Sequence, residues 1–217
     1  FFWFRRDLRL QDNKGLFEAL NSGYKVVPLF IFDTEILDKL PVNDARVTFI
    51  YETLAQIDQE LKRYNSSLLI KKGNPFDVWK ELMEVYDIDA VYTNKDYEPY
   101  ALQRDQHIQQ LLDKNKIQFC SCKDQVIFEE SEVVKKDGKP YTVFTPYKNK
   151  WLQHFDRIKD TTNFLIDFQE FYHFTSVLPT IEAIGFKRAS IKVRAYDLSS
   201  TDQYDLLRDY PAKDKTS

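Results

Sequence analysis

From its first residue to Cys122 the chain alternates short apolar runs with amphipathic stretches, a pattern few architectures can accommodate. Five runs have strand character: Phe1–Phe4, Lys25–Phe32, Ser67–Lys71, Ala90–Thr93 and Ile117–Cys122. The segments between them have helical period, and strands that alternate with helices form a parallel sheet covered on its faces. The first helix is expected over Asn13–Asn21, capped by Asp12, with Leu16 and Leu20 on one side and Gly23 ending it. Asp44 caps the second, whose stripe of Val47, Ile50, Leu54, Ile57 and Leu61 suits a helix lying on a sheet. Pro75 and Pro99 sit where a first helical residue belongs. The Pro75 helix turns Val78, Leu82 and Val85 inward, and the Pro99 helix runs to about Lys114. Pro28 falls within the second run and removes a ladder donor, so a bulge or an unpaired position is expected there.

Beyond Cys122 the period changes. Val133–Lys136 and Tyr141–Phe144 flank Asp137-Gly138, a dipeptide suited to a type I′ hairpin turn. Thr145 can cap a helix entered at Pro146 and running through Trp151 toward Ile158. From Asp160 no sustained period exists, and the segment reads as an extended connector lying on a following domain and open to proteases in isolation. The expected organisation is an α/β domain over 1–130, a hairpin and helix leading out over 131–158, and a linker over 159–217.

Composition narrows the function. A formal net charge of −3 and a pI near 5.7 offer no clustered cationic excess for tracking nucleic-acid phosphates. Cys120 and Cys122, two apart in a strand, share a face and read as reduced packing residues of a cytoplasmic protein. His107, His154 and His173 form no metal-ligand pattern with them. No apolar stretch is long enough to span a bilayer and no signal-peptide pattern is present, so neither a membrane partner nor a metal is expected. With five glycines the chain has neither the dinucleotide-binding glycine pattern nor a P-loop.

The first strand leads instead into a charged loop containing Arg5, Arg6, Asp7, Leu8, Arg9 and Asp12. Two readings stand side by side. The charges can pair with one another across a strand-to-helix turn, or they can form the polar rim of a ligand site, as loops beyond the carboxyl ends of parallel strands often do.

The run Trp3-Phe4-Arg5-Arg6-Asp7-Leu8-Arg9-Leu10-Gln11-Asp12-Asn13 closely resembles the opening of the photolyase/cryptochrome family. Three more stretches agree in order: Asn94–Ala101 with Arg104-Asp105, Tyr141–Trp151, and Arg208–Ala212 followed by Thr216-Ser217. The resemblance implies a Rossmann-like open sheet of order 3-2-1-4-5, an antenna-chromophore site in this domain, and a helical FAD domain downstream. Flavin site, lesion pocket and tryptophan relay would then lie beyond Ser217, and this chain would have no catalytic residue of its own. Its parent would be a deoxyribodipyrimidine photolyase, with a cryptochrome light receptor as the alternative. Its partners would be its own C-terminal FAD domain and, through the full-length protein only, damaged DNA. A monomer is expected.

The implied strand order sets the loop Arg5–Arg9 against Asn94–Tyr100 across a crevice. Asp96 and Glu98 match positions that contact the chromophore in deazaflavin-type members. Tyr100 and Ala101 stand where folate-type members carry an Asn-Glu pair. The cofactor-binding set is therefore expected to be Arg5, Arg6, Asp7, Leu8, Arg9, Asp96, Glu98 and Tyr100. A flavin or 8-hydroxy-5-deazaflavin ranks above methenyltetrahydrofolate, and an empty, vestigial site stays open. Phe30 to Asp33 is a second choice for the wall of the same crevice.

Overall fold

The computed structural model describes residues 1–156 and 166–190. Five strands, β1 (Phe2–Phe4), β2 (Pro28–Asp33), β3 (Leu69–Gly73), β4 (Ala90–Asn94) and β5 (Gln118–Cys122), form one all-parallel sheet of order β3-β2-β1-β4-β5. The helices are α1 (Lys14–Leu20), α2 (Thr34–Leu37), α3 (Ala45–Leu61), α4 (Pro75–Val85), α5 (Pro99–Lys114) and α6 (Phe144–His154). Among the described residues no helix is long and apolar enough to cross a membrane.

The sheet has a hydrophobic cluster on each face, which is why its strands read as continuous apolar runs. Successive side chains of a strand point to opposite faces. Phe2, Phe4, Phe30 and Phe32 accordingly join Leu16 of α1 and Val47, Leu54, Ile57 and Leu61 of α3. Trp3, Leu29, Ile31 and Val91 join Val78, Trp79 and Leu82 of α4 and Ile108 and Leu112 of α5.

Several local expectations are corrected. Asp12 does not cap α1, because its backbone is left-handed at φ 49°; Asn13, in extended conformation, accepts from the Leu16 N–H instead. Of the two outcomes expected at Pro28 the bulge is absent and the unpaired position is found, since Pro28 is the first residue of β2 and pairs only with Phe2, pairing to β3 beginning at Leu29. β3 starts later than expected because the Leu68 N–H donates to the Asp58 carboxylate rather than to a neighbouring strand. In α4 the inward side chains are Val78, Trp79 and Leu82, while Val85, in the last turn, is 69% exposed.

The Asp137-Gly138 segment forms no ladder and no type I′ turn. Gly138 alone has positive φ, its N–H donates to Lys135 C=O, and Lys135 N–H donates to Lys139 C=O. That is the three-residue pattern of a turn closed by a left-handed glycine. Thr145 lies inside α6, which starts at Phe144 without a side-chain cap, and Pro146 falls in the first turn where a missing N–H leaves nothing unsatisfied. α6 ends at His154, and Ile158 lies outside the described residues.

The largest correction concerns the connector. Residues 166–190 pack on the α/β domain itself, with Phe171, Ile181, Ile184 and Phe186 buried in the α1/α3 cluster. Val26 N–H donates to Glu170 C=O and Tyr172 N–H to Val26 C=O, fastening this segment beside the start of β2. It then reaches the loop before α3, where Lys187 N–H donates to Val42 C=O, and α3 itself, where Ala189 N–H donates to the Thr48 hydroxyl. Scattered apolar residues without period carry no helix or strand signal, yet each fills a place in the core. The run Arg208–Ala212 with Thr216-Ser217 is outside the described residues.

Candidate functional site

Parallel pairing brings every strand's carboxyl end to one edge, and the neighbours β1 and β4 mark the point where strand order reverses. Such a switch point opens a crevice between the loops that leave the two strands. As expected from the implied topology, the loop after β1 faces the loop between β4 and α5. Arg5 donates to Asn94 C=O and pairs with Asp105 of α5. Arg6 stands 3.5 Å from the carboxylates of both Asp96 and Glu98.

The pairing reading of the charged loop holds for Arg5, Asp7 and Arg9, whose charges are met within the fold, and Arg6 alone is left at a solvated rim. Arg5 is 5% exposed along its side chain, and burial pushes its pKa down against the opposing pull of Asp105. The Asp7 carboxylate accepts from Arg5 N–H at 2.9 Å and from the Asn94 amide at 2.5 Å. Asn94 in turn donates to the Asn13 side chain and accepts from Gly15 N–H, tying loop, α1 and β4 together. Arg9 reaches Asp12 C=O and Asp124, and Leu8 packs against the α1/α3 cluster. These contacts are structural. Arg6, 61% exposed, is held only loosely at the rim.

A cavity of about 250 Å³ opens at this edge between β1, β2, α2, α3 and α5. Its walls are mostly apolar, with Trp3, Phe30, Ile31, Ile36, Leu37 and Ile50, and Ala101 adds a small buried patch on α5. Arg5, Arg6, Asp96, Glu98 and Tyr100 of the expected set line it as well. Asp7 and Arg9 instead line a recess of about 80 Å³ on the other side of the loop, which Arg5, Arg6 and Asp96 share. Leu8 is among the lining of neither. A larger cavity, about 430 Å³, lies beside Phe1, Val27 and Tyr86 at the opposite edge of the sheet, away from the switch point.

At one end of the edge cavity polar groups converge. Asp33, at the end of β2, caps α2 by accepting from Glu35 N–H and accepts the Tyr100 hydroxyl at 2.6 Å. Burial raises the Asp33 carboxyl above the ordinary range, although the Tyr100 hydroxyl, Glu35 N–H and Arg104 pull it back. Burial together with the neighbouring carboxylate raises the Tyr100 phenol well above its usual value, so it remains a donor. Arg104 is bonded to Asp105 at 3.0 Å and lies 4.0 Å from Asp33. Its guanidinium carbon stands 4.9 Å from the centre of the Trp3 ring and 5.7 Å from that of Tyr100.

Sequence reasoning left Trp3, Arg104, Ile36, Leu37 and Ile50 out of the site and gave Asp33 only second place. A one-turn helix such as α2 has no detectable period. The available signal was Asp33-Thr34 at the carboxyl end of a strand, a cap placed where ligand loops begin. Lys95 and Tyr97 turn instead to Glu129. Burial pushes the Cys122 thiol up to about 11, which keeps it protonated and inert at neutral pH.

Residues 1–164 match the family model for DNA photolyase. A deoxyribodipyrimidine photo-lyase of Synechococcus sp. is 28% identical over all of this chain and 49% of its own length. Cryptochrome-2 of Arabidopsis thaliana is 33% identical over 69% of this chain and 24% of its own. The crystal structure of an archaeal photolyase from Sulfolobus tokodaii with two FAD molecules superposes with a TM-score of 0.57 at 34% identity, covering 62% of this chain and 31% of that one. The chain spans about half the length of the photolyases it matches end to end. A parallel sheet of order 3-2-1-4-5, the charged loop at its switch point and a family match over residues 1–164 lead to one assignment: the chain belongs to the DNA photolyase family.

Proposed function

We propose that the cavity between β2 and α5 is an antenna-chromophore site, and that the chain is the light-collecting part of a longer, cytoplasmic deoxyribodipyrimidine photolyase. The observation that carries this reading is the cavity's composition. An apolar slot at the switch point ends in the Asp33, Tyr100 and Arg104 cluster, which suits a flat aromatic ring with polar substituents at one end. At about 250 Å³ it is a little smaller than the ~300–1,000 Å³ of most ligand pockets, so a ring fits and a long tail stays outside. The donor set is compatible with a flavin or 8-hydroxy-5-deazaflavin. When bound, such a group supplies light absorption. The residues of this chain exclude water from it, with Trp3, Ile31 and Ile50 as walls, and orient its polar end through Arg104 and the Tyr100–Asp33 pair. Arg6, Asp96 and Glu98 surround the mouth, where tail hydroxyls would lie.

Two facts favour a flavin type over methenyltetrahydrofolate. Ala101 is 3% exposed and lines the cavity, so no carboxylate is available at that place. The Sulfolobus tokodaii relative holds two FAD molecules, and its structure is described as implying a novel light-harvesting cofactor. No catalytic step is assigned to this chain. Its monomeric form would dock on its own C-terminal FAD domain, which would hold the reacting flavin and contact damaged DNA. α6 supports that arrangement, because its Phe144 and Leu152, and Val143 just before it, are each more than half exposed.

Titration of the purified chain with riboflavin, 8-hydroxy-5-deazariboflavin and methenyltetrahydrofolate, monitored by absorption and fluorescence, tests the reading. Saturable one-to-one binding of a flavin type and weaker folate binding are expected; saturation by folate alone would overturn the ligand assignment. The similarity to an Arabidopsis cryptochrome supports light signalling as the second reading. Repair of dimer-containing oligonucleotides by the longer protein decides between them.

A further inference from the structure

Of the aromatic rings lining the cavity, two are readily oxidised: Trp3 and Tyr100. In a site that holds a photoexcited flavin-type ring these walls are a hazard. The excited ring draws one electron from a neighbouring indole or phenol, the electron then returns, and the absorbed energy leaves as heat. The protein side chain is oxidised and the chromophore reduced by one electron in the first step. The second step restores both, with no bond made or broken and no excitation left to pass on.

The surroundings of both rings oppose that loss. The Arg104 guanidinium lies within cation–π distance of both, and Arg5 adds a second cation 5.2 Å from the centre of the Trp3 ring. A cation near an aromatic face favours the electron-rich ring and repels one that has lost an electron. The two arginine side chains are 10% and 5% exposed, so water screens them little. The Trp3 indole N–H is buried and has no hydrogen-bond partner among the described residues, so an oxidised indole would have no base to take its proton. Asp33 acts in the opposite sense on Tyr100, since a carboxylate that accepts the phenol proton eases loss of the electron. Arg104 is the restraining charge on that ring. Asp105 anchors both guanidinium groups and offsets part of their field.

We propose that Arg104, supported by Arg5, guards the cavity photochemically: it suppresses electron donation from Trp3 and Tyr100 and so preserves the excited state of the bound chromophore. This rests on the reading of the cavity as a chromophore site. Arg104 acts through the two rings and is a positioning residue in that sense, not a catalytic one.

The test is the fluorescence lifetime of riboflavin bound to the full chain. Arg104→Met is expected to shorten it about threefold or more, while Arg104→Lys retains most of it. Adding Trp3→Phe and Tyr100→Phe to Arg104→Met should restore the wild-type lifetime. An unchanged lifetime in Arg104→Met, or a shortening that persists without the two rings, overturns the proposal. A second measurement does not depend on how Arg104 variants fold. Trp3→Phe with Tyr100→Phe, Arg104 intact, should lengthen the lifetime only slightly, and a severalfold gain contradicts the guard. If neither riboflavin nor 8-hydroxy-5-deazariboflavin saturates the wild-type chain, the chromophore reading itself falls and the guard with it; where only the deazaflavin saturates, the same lifetimes are read on it, and saturation with unaltered lifetimes overturns the guard alone.

Discussion

Arg5 and Arg6 are consecutive and chemically alike, yet the fold uses them differently. Arg5 is buried against Asp105 and the β4 terminus, and Arg6 is a solvated arm at a cavity mouth. Arg5→Met leaves the Asp105 carboxylate to Arg104 alone and removes the donor to Asn94 C=O, and is expected to cost about 1–3 kcal/mol in urea unfolding. Arg6→Met should cost less than about 1 kcal/mol by the same measurement. Sequence alone could not separate the two, because the partners of Arg5 lie about a hundred positions away. Asp33 gives a prediction with a sign. Its carboxyl titrates above the ordinary range in the folded chain, so folding favours the protonated form. The stability from this group is complete below the unfolded value of about 4 and is lost as pH rises through the higher folded value. Asp33→Asn keeps an acceptor for the Tyr100 hydroxyl and should raise the melting temperature at pH 7. The gain should vanish below about pH 4; a gain that grows on acidification contradicts the account.

At the scale of elements, the central strands β1, β2 and β4 were legible because they are buried on both faces, the edge strands β3 and β5 by short runs between helical segments, and α3, α4 and α5 because caps and N1 prolines mark their starts. Each element that was not legible has a physical reason. α2 is a single turn, the Asp12 cap failed by one residue on a backbone sign that composition does not encode, and segment 166–190 is apolar without period. The short α1 is placed by Gly15, whose N–H donates to Asn94. A Cβ there would fall 2.6 Å from the Asn94 side-chain oxygen and 3.0 Å from the Phe2 ring. Gly15→Ala should therefore cost about 1–3 kcal/mol despite its better helix propensity, read as a lowered melting temperature. A stabilised variant would mean that α1 is not seated on β4 as described.

For the whole molecule, segment 166–190 turns a sheet with two covered faces into a domain whose core depends on residues far along the chain. Phe171, fully buried beside Val26, is the strongest point of that dependence. Phe171→Ala should cost about 3–5 kcal/mol in equilibrium unfolding. Chymotrypsin should cut after Phe171 and Phe186 no faster than the domain unfolds, the reverse of the behaviour of an undocked connector. The same strap ends on α3, the helix that supplies Ile50 to the cavity, so the site and the later chain share one support. The photolyase-type fold, its strand order and the facing loops were all readable from the sequence and its family resemblance. The cavity itself was only half readable, because its apolar wall comes from α2 and α3 rather than from the charged loop. The most direct test is equilibrium binding of riboflavin to the wild-type chain and to Ala101→Leu, which places added bulk in the cavity. Saturable binding by the wild type and at least about tenfold weaker binding by the variant, a change of about 1.4 kcal/mol, are expected. Equal affinity in both would show that the ligand binds elsewhere and contradict the assignment of this cavity.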